Sequence, residues 1–240
     1  MKRKNLFASL FLSAAIILSG CSSMNNTAKG GLLGGGGGAA IGAALGALIG
    51  KDGKSAAIGA AIGGAAGATA GVIIGKKMDK AQAEAAAIEG AQTQAITDAN
   101  GLPAVLVTFD SGILFQTGSS TLSSAAQNSL TKFAKILIEN PTIELSVLGH
   151  TDNTGWANSN AAQSAQKNQV LSQQRAQSVV NYLTTKGAAR SQFKDVSGKG
   201  QDMPIADNST AAGRAQNRRV EIYMYASAQM VKDAEAQANQ

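Results

Sequence analysis

IELSVLGHTDNTG, Ile143 to Gly155, decides how the chain is read. Ile143, Leu145 and Val147 alternate with Glu144 and Ser146, which predicts a strand with one face in a core. The strand runs straight into the polar run Thr151-Asp152-Asn153-Thr154-Gly155, so Asp152 is expected at the carboxyl-terminal rim of a sheet. There it can close an Asx turn or present its carboxylate to a ligand. The same stretch holds the only histidine of the chain, His150, two residues before Asp152. A histidine beside an aspartate suggests catalysis, and the remaining sequence argues against it. One histidine and one cysteine do not supply the three or four ligands of a zinc site. No G-x-S-x-G elbow is present, and the acids are scattered without the pairing that glycoside hydrolysis requires. His150 is therefore expected to be structural, a partly buried imidazole bonded to the following turn, with no catalytic residues, metal or cofactor.

Working outward, Val105 to Phe109 reads as a strand followed by Ile113-Leu114-Phe115. Leu130, Phe133, Ala134 and Leu137 fall on one face of a helix that Pro141 stops. Ala176, Val179, Val180 and Leu183 mark a second amphipathic helix, with Ser172 as its expected N-cap and Gly187 at its end. Phe193 to Gly200 and Val220 to Tyr225 are the remaining strands. The order β-α-β-α-β-β predicts an α+β sandwich over residues 104–226, its helices on one face of a mixed sheet. Residues 227–240 read as a polar tail or frayed helix. With Ser172 as N-cap, Arg175 falls in the first turn of its helix, where it opposes the dipole; a nearby anion would explain it. Asp152 and Arg175 together would offer a carboxylate to an ammonium and a guanidinium fork to a carboxylate. That is a receptor for a zwitterionic amino-acid head group.

The amino-terminal part is organised differently. Lys2, Arg3 and Lys4 precede the apolar run Leu6 to Leu18, the pattern of an export signal over residues 1–20 and too short for a stable span. Leu18-Ser19-Gly20-Cys21 resembles a bacterial lipobox. That resemblance implies that Cys21 carries lipid, including an amide-linked acyl chain such as palmitate, and begins the mature protein, and Ser22 after it implies sorting to the outer membrane. With its single cysteine lipidated, the chain has no thiol left for a disulfide. The formal charge of +6 falls to +3 without the three basic residues of the signal, and no basic stripe with interleaved aromatics remains. Nucleic acid is thereby excluded as a partner. Residues 21–29 form a short tether. In residues 30–75, Gly34, Gly38, Gly42, Gly46 and Gly50 recur every fourth residue, as do Gly59, Gly63, Gly67, Gly71 and Gly75. Residues four apart share a helix face, so each run makes a groove where another helix can approach closely. Lys51 to Ser55 between them forms a turn. The segment resembles the glycine-zipper hairpins of bacterial envelope proteins, which implies association with membrane lipid and assembly of copies through the helices. Residues 76–103 are expected to be a helical spacer, broken at Gly101-Leu102-Pro103.

Three ordered motifs then carry a specific resemblance. GHTDNTG (149–155), LSQQRAQSVVNYL (171–183) and GKGQDMPIADNSTAAGRAQNRRVEI (198–222) resemble the signature of the OmpA-like peptidoglycan-binding domain, which also occurs in peptidoglycan-associated lipoproteins and flagellar stator subunits. The resemblance implies non-covalent binding of the diaminopimelate of peptidoglycan. Asp152 and Arg175 match the clasping pair, Thr151 and Asn168 match neighbouring polar residues, and Arg218 matches an arginine near the ligand; Arg219 is expected to support the fold or a nearby acid. Two departures stand out. Asp152 and Arg175 lie eight residues further apart than is usual in the family, the extra residues falling within 156–167. Gln116 in Phe115-Gln116-Thr117-Gly118 replaces a family aspartate. The expected whole is an outer-membrane lipoprotein tying the envelope to the wall. The alternatives are an oligomeric glycine-zipper pore or a wall-modifying hydrolase.

Overall fold

Ala70, Ile74, Met78, Ala81 and Ala85, at spacings of three and four, lay one buried stripe along helix α1 (Ala65–Ala86). The computed structural model describes residues 65–98 and 100–239. The expectations for the signal peptide, Cys21, the tether and the first glycine arm lie outside the described residues. α1 joins the end of the second glycine arm to the start of the expected spacer in one helix, with Gly71 and Gly75 buried. Its stripe belongs to the same core as the strands that follow, so the expected domain boundary at residue 104 is corrected: the packed unit already includes Ala70 and Ile74.

The expectation of a helical spacer fails at Ala91–Thr97, which is strand β1 and pairs antiparallel with β2 (Pro103–Asp110), Ala91 opposite Phe109 and Thr97 opposite Pro103. Alanine and glutamine favour helix in isolation, and only the partner strand overrides that preference. The turn between them is held by Asp98, whose Oδ1 accepts from the amides of Asn100 and Leu102, both at 2.8 Å.

After the short helix α2 (Ser111–Leu114), α3 (Ser124–Glu139) starts at Ser123, whose hydroxyl accepts from the Ala126 amide, and buries the expected Leu130, Phe133, Ala134 and Leu137. Then come β3 (Ile143–Gly149), α4 (Ala161–Thr185), β4 (Phe193–Gly198), α5 (Ala211–Asn217), β5 (Arg219–Ala226) and α6 (Ala228–Ala238). The sheet runs β1-β2-β5-β3-β4, with β3 and β4 parallel and every other pair antiparallel. This is the expected α+β mixed sheet. The last strand occupies its centre, and all eight residues of β5 are buried. Of the polar tail or frayed helix expected last, the structure has a helix, α6, capped by Ser227; it is not frayed away but buries Met230, Val231 and Ala234 and packs on α1.

The N-cap of α4 lies twelve residues before the one expected at Ser172. It is Asn160, in a capping box with Gln163. Ser172 sits mid-helix, its hydroxyl donating to the Gln169 carbonyl and accepting from the Gly200 amide. Gly187, at φ +106°, follows the last turn as expected. α4 lies against the ends of β3 and β4 so closely that a Cβ on Gly149 would meet the Ser172 carbonyl, and one on Gly198 the Gln173 amide.

A candidate binding site at the strand rim

The ends of β3 and β4 and the start of β5 meet at one rim of the sheet, with Gly149 opposite both Val220 and Gly198. The loop leaving β3 is fixed by its backbone: the His150 amide donates to the Arg219 carbonyl at 2.9 Å, and the Thr151 amide to the Gly200 carbonyl at 2.8 Å. Asp152 is thereby placed just beyond the rim, 5% exposed. One carboxylate oxygen accepts from the Thr154 amide at 2.9 Å, and the other from Nη1 of Arg218 at 2.6 Å. The Asx turn expected as one alternative for Asp152 is thus present, while its other carboxylate oxygen is paired with Arg218. Burial acts to raise the Asp152 pKa, but the Thr154 amide and the Arg218 guanidinium outweigh it and hold the carboxyl below its usual range.

Arg175, 3% exposed, faces the same region from α4. Its Nε donates to the Ser119 carbonyl at 3.0 Å, its Nη2 lies 3.5 Å from the Gln116 carbonyl, and the guanidinium stands 5.2 Å from the Phe115 ring centre. Burial and the nearby charge of Arg218 lower its pKa, partly offset by Asp152. Because α4 starts at Ala161, Arg175 is mid-helix, and the expected conflict with the helix dipole does not exist. Carbonyls of the loop after α2 hold it. Gln116, which replaces the family aspartate, contributes its main chain.

Asn168 ties the parts together. Its Oδ1 accepts from the Trp156 indole at 2.7 Å, and its Nδ2 reaches the carbonyls of Thr154 and Asp152 at 3.2 and 3.4 Å. The same Nδ2 lies 3.2 Å from Gln201 Oε1. The Thr151 hydroxyl is buried without a hydrogen-bond partner. The structure therefore brings together all five expected residues, Thr151, Asp152, Asn168, Arg175 and Arg218. Trp156 and the carbonyls of Gln116 and Ser119 were not foreseen; backbone acceptors leave no trace in residue type, and Trp156 lies among the residues that the resemblance left unmatched.

His150 departs from its expected exposure and partner. It is fully buried, and its Nε2 stands 3.2 Å from Glu221 on β5 rather than bonding to the turn. Glu221 also accepts from Arg219 Nε at 2.7 Å and from the Tyr223 hydroxyl at 2.8 Å, which gives Arg219 the supporting role expected of it. Burial lowers the His150 pKa, with Glu221 only partly offsetting it. Burial would raise Glu221, yet His150 and Arg219 bring its pKa down to about 2.

With this geometry in view, the chain was compared with known proteins. Residues 114–218 match the family model described as the OmpA family. This segment therefore resembles an OmpA-family domain. Residues 1–79 match the YMGG-like Gly-zipper family. The chain is 42% identical over 118 residues to the probable lipoprotein YiaD of Escherichia coli, a match covering 49% of this chain and 50% of that protein. It is 37% identical over 112 residues to the outer-membrane lipoprotein YfiB of Pseudomonas aeruginosa, covering 47% and 61%. It is 39% identical over 110 residues to the peptidoglycan-binding protein ArfA of Mycobacterium tuberculosis, covering 46% and 31%. The matched stretch thus spans between a third and three fifths of these relatives. A MotB-like protein of Desulfovibrio vulgaris, 22% identical, superposes with a TM-score of 0.53 over 63% of this chain and 90% of its own, which establishes the shared fold.

Proposed function

We propose that the chain is an outer-membrane lipoprotein, anchored by lipid on Cys21, whose OmpA-family domain holds the cell wall by non-covalent binding of peptidoglycan diaminopimelate. The observation that carries this reading is the ion pair of Asp152 with Arg218, beside the buried Arg175 and the unpaired Thr151 hydroxyl. The pair presents one negative and one positive group at hydrogen-bond distance, and a zwitterionic amino-acid centre carries the complementary two. On binding, the ligand's ammonium takes the Asp152 carboxylate, and Arg218, 38% exposed, turns to the ligand's carboxylate. Arg175, held by backbone, keeps the site positive. Asn168 fixes the loop, and Thr151 supplies a further donor or acceptor. Nothing in this sequence of contacts breaks a covalent bond, so the protein acts as a tether rather than an enzyme.

The names of the relatives, two lipoproteins and a peptidoglycan-binding protein, support the reading. The hydrolase alternative loses its one candidate base, since His150 is sealed from solvent against Glu221. The pore alternative rests on glycine arms that lie mostly outside the described residues. Among those described, no helix is long and apolar enough to cross a membrane.

The full-length chain in mild detergent is expected to pellet with diaminopimelate-containing sacculi and to stay in solution with sacculi whose third residue is lysine. Lysine lacks the second amino-acid centre. Equal pelleting with both, or pelleting unaffected by Asp152→Asn, would sink the proposal.

A further inference from the structure

The residues inserted between Asp152 and Arg175 are not a loose loop. They fold as the first turns of α4 and an indole packed against them, with Trp156 bonded to Asn168 and its amide to the Ser164 hydroxyl at 3.1 Å. Between these turns and the loop after α2 lies a cleft of about 350 Å³. Trp156, Lys167, Val170 and Leu171 form one side, and Gly118 and Gln174 border it. It adjoins the binding site on two counts. Gly118 stands between Gln116 and Ser119, whose carbonyls hold Arg175. The Trp156 indole is tied through Asn168 to the Asp152 loop.

The lining holds one cation and no carboxylate. Lys167 Nζ stands 5.8 Å from the indole centre and donates to Ser159 Oγ at 2.8 Å, which leaves two of its three N–H groups for another acceptor. Val170 is 50% exposed, an apolar surface with no cover of its own. The volume is at the small end of the roughly 300–1,000 Å³ range of ligand pockets, room for one residue rather than a length of polymer.

We propose that this cleft is a second subsite, specific to the insertion, for the carboxylate-bearing residue joined by an amide to the clasped diamino acid. In a wall peptide that residue is a γ-linked glutamyl group. Its α-carboxylate meets Lys167, and its methylenes lie on Trp156 and Val170. The proposal rests on the diaminopimelate reading above and adds the neighbour that the insertion selects.

Calorimetry on the full-length chain in detergent tests it with four probes: free meso-diaminopimelate, its γ-glutamyl dipeptide, that dipeptide with the glutamyl carboxylate amidated, and diaminopimelate extended by alanine at its carboxyl end. The γ-glutamyl dipeptide is expected to bind about tenfold more tightly than the free amino acid, equivalent to about 1.4 kcal/mol, and amidation is expected to remove most of that gain. Lys167→Gln and Val170→Asp, both on exposed positions, are each expected to reduce the gain to about threefold or less while leaving free diaminopimelate within about twofold of wild type. Equal binding of the dipeptide and the free amino acid would overturn the subsite. So would a gain that follows the alanine extension, or one that survives in both variants. No binding of any probe overturns the clasp itself and the subsite with it.

Discussion

Arg218 can be removed without opening the core, because its side chain is 38% exposed and its Nη1 is spent on Asp152. Its loss does two things. The ligand's carboxylate loses a partner, and Asp152 loses the guanidinium that helps hold its pKa down. Arg218→Ala is therefore expected to weaken diaminopimelate binding about tenfold and to shift the acid limb of the binding profile to higher pH. Asp152→Asn, which removes the charge itself, is expected to cost about a hundredfold or more, as truncating one partner of a charged pair does elsewhere. Calorimetry between about pH 3 and pH 7 reads both effects. An acid limb in Arg218→Ala identical to wild type would mean that the pair does not set the Asp152 charge. His150 gives a second pH signature, in stability rather than binding. Its folded pKa is depressed from 6.5. Below 6.5 the unfolded chain therefore takes up a proton that the folded chain refuses, and stability falls as the pH drops towards the depressed value. Glu221, lowered from 4.5 to about 2, contributes stability above 4.5 that is lost between those two values. Urea titrations are expected to show the first decline with a slope of at most about 1.4 kcal/mol per pH unit, and His150→Gln is expected to lose that limb and to shrink the second, since His150 is one of the groups that hold Glu221 down. An unchanged slope just below pH 6.5 in the variant would exclude His150 as its source.

At the scale of elements, α1 carries a prediction that the sequence alone would have got backwards. Ile74 and Met78 are fully buried in the same core as Phe109 and Leu145. Ile74→Ala is thus expected to cost about 2–5 kcal/mol in equilibrium unfolding, as burial in a packed core dictates. A fragment beginning at residue 101 is expected to lack a cooperative transition, because it leaves the β1 edge of β2 unpaired and the α1 side of the core open; a sharp two-state melt from that fragment would contradict the packing. The reason this was not legible is physical. Ala, Gly and Gln carry little burial signal, so the helix of α1 was expected but its place in the core was not, and β1 became a strand only through what it touches. Where the pattern was strong it was enough: β2, β3 and β5 lie where alternation put them, within a residue or two at the ends, and α3 buries the four residues that its spacing named. The helix start failed at Ser172 because a serine with good capping chemistry was bonding across to Gly200 instead, while the true cap, Asn160 with Gln163, sat among the extra residues that matched no motif. The five side chains that the resemblance names for the proposed site lie together at the strand rim. Their pairing was not legible, since nothing in the residue order says that Asp152 meets Arg218 sooner than Arg175.

For the molecule as a whole, the continuity of α1 has a mechanical consequence. The last turns of the second glycine arm are packed into the domain that carries Asp152, so nothing between Ala65 and the sheet serves as a slack linker. Under the proposed function, the membrane end and the wall end meet across residues 21–64, and each end should hold independently of the other. Fractionation of cells separates them. Cys21→Ser is expected to leave the membrane fraction yet still pellet with isolated sacculi. Asp152→Asn is expected to stay with the membrane yet release from sacculi in detergent, and the double variant should be soluble in both assays. If Cys21→Ser remains with membranes after detergent-free washing of lysozyme-treated cells, the glycine arms, and not lipid on the cysteine, hold the membrane. The tether would then begin at the zipper, with α1 as the rigid joint between bilayer and wall.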